Sequence, residues 1–297
     1  MREGEDVLVV CNPATQAIGE RMREEAAAAG ADAVLAVMEE RASHAAEPAQ
    51  AVAAAMLRAD VVLAPTVQSL SHTAARKAAS EAGARIATLP GVTEDMLARV
   101  MSADMKELRR RGHILAEALT DADRAEITCP NGSALELDLG GREGIPDAGE
   151  LTERGAFGNL PCGEGFISPS GGNGILVVDG SIAQIGRVQA PVRLEVRAGQ
   201  LVNADGAEGR QLLELLRVHG LDGTVVAELG IGTNERAILT GEILEDEKIL
   251  GTCHVAFGAS AGIGGTIQVP VHLDCVVTRP TVTLARHAIV HDGELLV

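Results

Sequence analysis

The chain has no tyrosine and no tryptophan, and only three phenylalanines among 297 residues. Proteins that stack nucleobases need aromatic platforms, so that mode of nucleic-acid binding is excluded. Positive charge is scarce too. Lys and Arg number 25 against 42 Asp and Glu, a formal net charge of −17. A phosphate backbone needs a cationic stripe, and the only basic cluster, Arg109-Arg110-Arg111, reads as a solvated helix face. No apolar run approaches the roughly 18 residues that span a bilayer. The first residues enter a strand without a signal-like apolar stretch, so the expected location is the cytoplasm, with no membrane contact. The five cysteines are scattered and lack Cys-x-x-Cys spacing. They read as small core residues in a reducing compartment, with no zinc knuckle or disulfide framework.

What is present alternates regularly at first. Residues 7–11, 34–37, 61–64 and 85–89 are short apolar runs separated by helical stretches at 16–29, 48–59 and 71–82. This spacing predicts a doubly wound, mostly parallel α/β sheet. The first strand runs into Asn12-Pro-Ala-Thr15, without the glycine loop that cradles a dinucleotide or nucleotide phosphate. Residues 96–119 read as helical, with Asp104 as a break. Ser69-Leu-Ser-His-Thr73 reads as a helix N-cap.

Composition shifts at Thr120-Asp-Ala-Asp123. Beyond it lie glycine-rich, short alternating runs at 134–139, 174–178, 192–196 and 200–202, one helix at 209–216, and hairpin signals at Asn131-Gly132 and Asp179-Gly180. The expected layout is a Rossmann-like α/β domain over residues 1–122. A mostly antiparallel α+β, metal-binding catalytic domain would follow over 123–297.

The second half carries the chemistry. On a strand, His272 and Asp274 of His272-Leu-Asp274 point the same way. An imidazole and a carboxylate aimed at one point suit a divalent metal. Glu228, Glu247 and His254 lie within the same fifty residues, among small neighbours. Upstream, Glu164 sits in Gly158-Asn-Leu-Pro-Cys-Gly-Glu164-Gly-Phe-Ile-Ser-Pro169. His44, His113, His219, His287 and His291 have no carboxylate at useful spacing and read as surface or packing residues.

These segments together resemble the aminopeptidase T and aminopeptidase S family of metallopeptidases. The likeness runs through the Asn-Leu-Pro-x-Gly-Glu segment, Glu228 after an apolar strand, Glu247 before His254-Val-Ala-Phe-Gly258, and the late His272-x-Asp274. Leu70-Ser-His-Thr73 and Leu89-Pro-Gly-Val-Thr93 extend it over nearly the whole chain. The resemblance implies a metallo-aminopeptidase-like hydrolase that pairs as a homodimer and acts on a small molecule or short peptide. Glu164, Glu228, Glu247, His254, His272 and Asp274 would hold two divalent ions (Zn, Co or Mn), with Glu164 and Glu228 also catalytic. Charge points the same way, since two divalent ions neutralise the four carboxylates of this set. Two such ions can clamp and acidify a bridging water.

Two departures open an alternative. The family's tyrosine after the strand histidine has no counterpart in a chain without tyrosine, and Glu247 stands seven residues before His254. The same superfamily includes non-haem iron enzymes that open dihydroxypyridine rings with two His and one Asp. His254, His272 and Asp274 make that set for a single Fe(II). The hydrolase is the expected activity, the iron dioxygenase the alternative, and a degenerate binding protein a third possibility.

Overall fold

The computed structural model describes residues 1–297, which fall into two compact units. The first comprises Met1–Met101 and Gly149–Cys162, the second Ser102–Ala148 and Gly163–Val297. A single cut at residue 122 does not describe this division. The helix Met105–Asp121 lies in the second unit, and the chain returns to the first at Gly149.

The first unit is built on a five-stranded parallel sheet in the order Asp32–Val37, Asp6–Cys11, Val61–Ala64, Arg85–Thr88, Phe157–Asn159. Its central strands are buried, as expected of a parallel sheet covered by helices. Thr73 caps the helix Ala74–Ala82 by accepting from the Arg76 amide, and Gly83 ends it in the left-handed region. The break expected at Asp104 is an N-cap: its carboxylate accepts from the Lys106 and Glu107 amides and starts Met105–Asp121. The fifth strand, Phe157–Asn159, is only three residues long and lies outside the alternating apolar runs read from sequence.

The second unit holds two antiparallel sheets. Eight strands form one of them, among them Ala134–Asp138, Gly171–Val178 and Val192–Arg197. Seven strands form the other, in the order Gly186–Arg187, Ser181–Ile182, His272–Val277, Cys253–Gly258, Val226–Gly232, Glu164–Ile167, Ile145–Asp147. Leu135, Leu176 and Leu194 from the first sheet and Leu229, Val255, Phe257 and Leu273 from the second share one apolar core. The hairpin expected at Asp179-Gly180 is not formed. Gly171–Val178 and Ser181–Ile182 pair in different sheets, so this turn carries the chain between them. All five cysteines are free, four of them buried. No helix is long and apolar enough to cross a membrane.

Candidate metal centre

Directly opposed residues of an antiparallel pair share a face, so strand register assigns each side chain of the seven-stranded sheet. Glu164 is opposite Gly232, Phe166 opposite Gly230, and Gly230 opposite His254. Glu228 is opposite Ala256, Ala256 opposite Asp274, and Gly258 opposite His272. Asp147 is opposite Glu164. Asp147, Glu164, Phe166, Glu228, His254, His272 and Asp274 therefore stand on one face. The alternate residues Leu229, Val255, Phe257 and Leu273 supply the apolar core behind it. Small residues between the polar ones give them room. A Cβ at Gly230 would overlap the imidazole of His254, and one at Gly232 the backbone of Lys248 and Ile249.

All six residues expected as ligands are brought together. His254 Nε2 lies 3.2 Å from Glu164 Oε2 and 3.3 Å from Glu228 Oε1. His272 Nε2 lies 3.3 Å from Glu228 Oε2 and 3.4 Å from Asp274 Oδ1. Glu228 thus spans the two imidazoles with its two oxygens. Three trios of donor atoms lie within 4.8 Å: Glu164, Glu228 and His254; Glu228, His272 and Asp274; Glu247, His254 and Asp274. Each contains a single imidazole, and Glu228 and Asp274 link them. His272 Nδ1 lies 2.7 Å from the Ala259 carbonyl. A proton donated there leaves Nε2 with the lone pair a metal needs. The His272 side chain is the most open of the six at 14% exposure, against 1% for His254.

Two charged members were missed from sequence. Lys248 is fully buried, with Nζ 2.7 Å from Glu164 Oε1, 2.6 Å from Glu247 Oε1 and 3.4 Å from Asp147 Oδ2. Nothing local marks it, since lysine is by default an exposed residue. The only sequence signal is its place beside Glu247 in Glu245-Asp-Glu-Lys248. The other two acids of that run serve the loop. Glu245 accepts from the Ile238 amide, and Asp246 from the amides of Thr240 and Gly241. Ser260, in Gly258-Ala-Ser-Ala-Gly262, has the spacing of a serine nucleophile, but its Oγ accepts from the Ile267 amide within the loop.

Electrostatics show a site that draws in positive charge. Burial would lower the His254 pKa, but the Glu228 hydrogen bond and the charges of Glu164 and Asp274 outweigh it and raise it to about 9. Burial opposes His272 likewise, yet Asp274 and Glu228 hold it well above the usual histidine range. Glu228 and Asp274, although buried, are held below the ordinary carboxylate range by the two imidazoles. Burial pushes Glu164 up to about 8, against the opposing pull of Lys248. Lys248 stays charged because Glu164, Glu247 and Asp147 overcome its burial.

The residues fit a divalent cation. Five carboxylates against one ammonium leave four negative charges when both imidazoles are neutral, so counting alone would admit two ions. With no ion bound, the surrounding carboxylates favour the protonated form of both imidazoles. One divalent ion taking the place of those two protons leaves the charge of the cluster unchanged. Glu164 Oε2, buried without a hydrogen-bond partner and facing His254, also points to a missing cation or proton.

The 2,5-dihydroxypyridine 5,6-dioxygenase (NicX) family model matches residues 2–297. No curated protein matches the sequence. Among solved structures, 2,5-dihydroxypyridine dioxygenase from Pseudomonas putida KT2440 superposes with a TM-score of 0.85 at 20% identity, covering 98% of this chain and 92% of that one. Wild-type AmpT from Thermus thermophilus superposes at 0.72 with 16% identity, covering 100% and 95%. At these identities the superpositions establish a common mixed α/β fold, a parallel sheet with larger antiparallel ones. The family match decides between the two activities expected from sequence. It overturns the metallo-aminopeptidase-like hydrolase and supports the oxygenase. The aminopeptidase T and S resemblance survives only as a shared fold.

Proposed function

The chain belongs to the 2,5-dihydroxypyridine 5,6-dioxygenase family, and on that premise we propose that it is a non-haem iron dioxygenase that opens the ring of a dihydroxypyridine-like substrate. The observation that carries this is the placing of His254, His272 and Asp274 on two adjacent strands: each imidazole shares a donor trio with Asp274, and Glu228 spans the two. Two imidazoles and one carboxylate are the donor set of mononuclear non-haem iron oxygenases, and they leave positions open for dioxygen and substrate. Iron(II) held there would relay electrons from the electron-rich ring to dioxygen, both of whose atoms enter the opened product.

The remaining residues have work around that set. A hydroxylated ring reacts more readily once its hydroxyl proton is gone. Glu164 Oε2 is buried without a hydrogen-bond partner, 3.2 Å from His254 Nε2, and a carboxylate placed there could take that proton. The hydrogen bond between His272 Nδ1 and Ala259 keeps that ring's orientation and tautomer fixed. Phe166, half-buried on the same face, is the one aromatic side chain that could lie against a planar ring. Burial of His254 and Lys248 excludes bulk water from the floor of the site.

The test is direct. Chain purified anaerobically and loaded with Fe(II) should consume one O2 per 2,5-dihydroxypyridine, with loss of the ring absorbance, and a chelator should stop it. Neither O2 uptake nor ring loss across a panel of dihydroxypyridines, with iron bound, would refute this activity.

A further inference from the structure

Lys248 is the only lysine or arginine among the five carboxylates, and ring opening as described above gives it no task. It is also expensive to place, because an ammonium shut from water needs close partners on every side. The chain provides them. Glu245 and Asp246 bind the amides of Ile238, Thr240 and Gly241, which folds the loop so that Glu247 and Lys248 face the sheet. Gly232 leaves space for the backbone of Lys248 and Ile249, which a Cβ would obstruct. Asn234 then ties that backbone in place, its amide donating to the Lys248 carbonyl.

We propose that the Lys248 ammonium stands where a second divalent ion would otherwise sit, and so limits this centre to one ion. The proposal rests on the single-iron reading above and gives its structural cause. Of the six expected ligands, Glu164 and Glu247 each commit an oxygen to Nζ at 2.7 and 2.6 Å. A divalent ion binds carboxylate oxygen at roughly 2.0–2.2 Å, and an ammonium hydrogen-bonded to both oxygens fills the space between them and repels a second cation. Glu228, His254, His272 and Asp274 are the four that Lys248 does not touch. A lysine differs from an ion in being covalently tethered, so it cannot be lost or exchanged. The chain thus keeps the two-ion ligand set in outline but answers half of it from within.

The experiment counts metal. Chelator-treated wild type and Lys248→Ala are titrated anaerobically with Mn(II), and bound metal is measured by calorimetry and elemental analysis. Wild type should bind one ion per chain and Lys248→Ala two. Two ions in the wild type, or one in both, would overturn the proposal. If Lys248→Ala does not fold, Glu247→Gln decides the matter. It should keep one ion with affinity within about threefold of wild type, whereas loss well beyond the 10–100-fold typical of a supporting residue would make Glu247 a ligand and sink the idea. Ring opening by the wild type is assayed in parallel. A wild type that binds one ion but opens no ring would end the dioxygenase reading while leaving the role of Lys248 intact.

Discussion

Glu164 faces two cations at once: its Oε1 lies 2.7 Å from Lys248 Nζ and its Oε2 lies 3.2 Å from His254 Nε2. One carboxylate therefore joins the lysine pocket to the imidazole cluster. It can change its protonation without leaving either. Such a link suits a group that takes a proton during the reaction.

Glu164→Gln tests this. The amide keeps the shape but cannot accept a proton as a carboxylate does. Single-turnover rates in the iron-loaded variant should fall about 10²–10⁴-fold, the usual range for loss of general acid–base assistance. The stoichiometry of bound metal should stay at one ion. Loss of the ion in the variant would instead identify Glu164 as a ligand.

Gly230→Ala should damage metal binding without changing any ligand. The added methyl would collide with the His254 ring, which lies across the strand at that point. His254 must turn or the strands must part. Affinity for Mn(II) should drop by about 10–100-fold or more, comparable to removing a group that orients a ligand. Far-ultraviolet circular dichroism should remain like the wild type. Unchanged affinity would show that His254 is not part of the metal site.

Much of this architecture is visible in the sequence because its causes are local. Alternation of apolar runs and capped helices in the first hundred residues reflects side-chain period and backbone capping, as at Thr73 and Asp104. His272 and Asp274 are likewise two apart on one strand, so their common face follows from the pleat. Partners distant in sequence are another matter. Asp179-Gly180 has hairpin chemistry, yet the flanking strands find partners in separate sheets. Phe157–Asn159 is three residues long and becomes a strand only through the edge offered by Arg85–Thr88. Lys248 was hidden for a similar reason. Its burial depends on three carboxylates from Asp147, Glu164 and Glu247, of which only the last is near in sequence. The four carboxylates visible in the sequence do not reveal that two of them, Glu164 and Glu247, are held by an ammonium.

Phe166→Ala should affect substrate more than metal. Phe166 shares the site face with Glu164 but has no donor atom. Stacking of a base on an aromatic ring contributes about 1–3 kcal/mol, so KM for a dihydroxypyridine should rise roughly 5-fold to 150-fold, at about 1.4 kcal/mol per factor of ten. Mn(II) affinity should be unaffected. Equal loss of metal and substrate binding would mean that Phe166 supports the sheet rather than the ring.

The last prediction concerns pH in the metal-free chain. His254 has a pKa of about 9 in the fold, against about 6.5 when unfolded. Between these values the folded chain holds a proton that the unfolded chain does not, so stability falls as pH rises. The contribution is fully present below about pH 6.5 and is lost as pH passes about 9, at most about 3 kcal/mol. Glu164 acts with the same sign, because its carboxyl is raised to about 8. Glu228 and Asp274, held low by the imidazoles, contribute stability that is lost only in acid, outside this window. Chelated protein should therefore melt several degrees lower at pH 9 than at pH 6.5. With saturating Mn(II) the trend should flatten or reverse, because the imidazoles then bind as neutral ligands and protons compete with the ion at lower pH. Thermal melts across this range, with and without metal, give the comparison. A metal-free chain as stable at pH 9 as at pH 6.5 would show that His254 carries no extra proton in the fold.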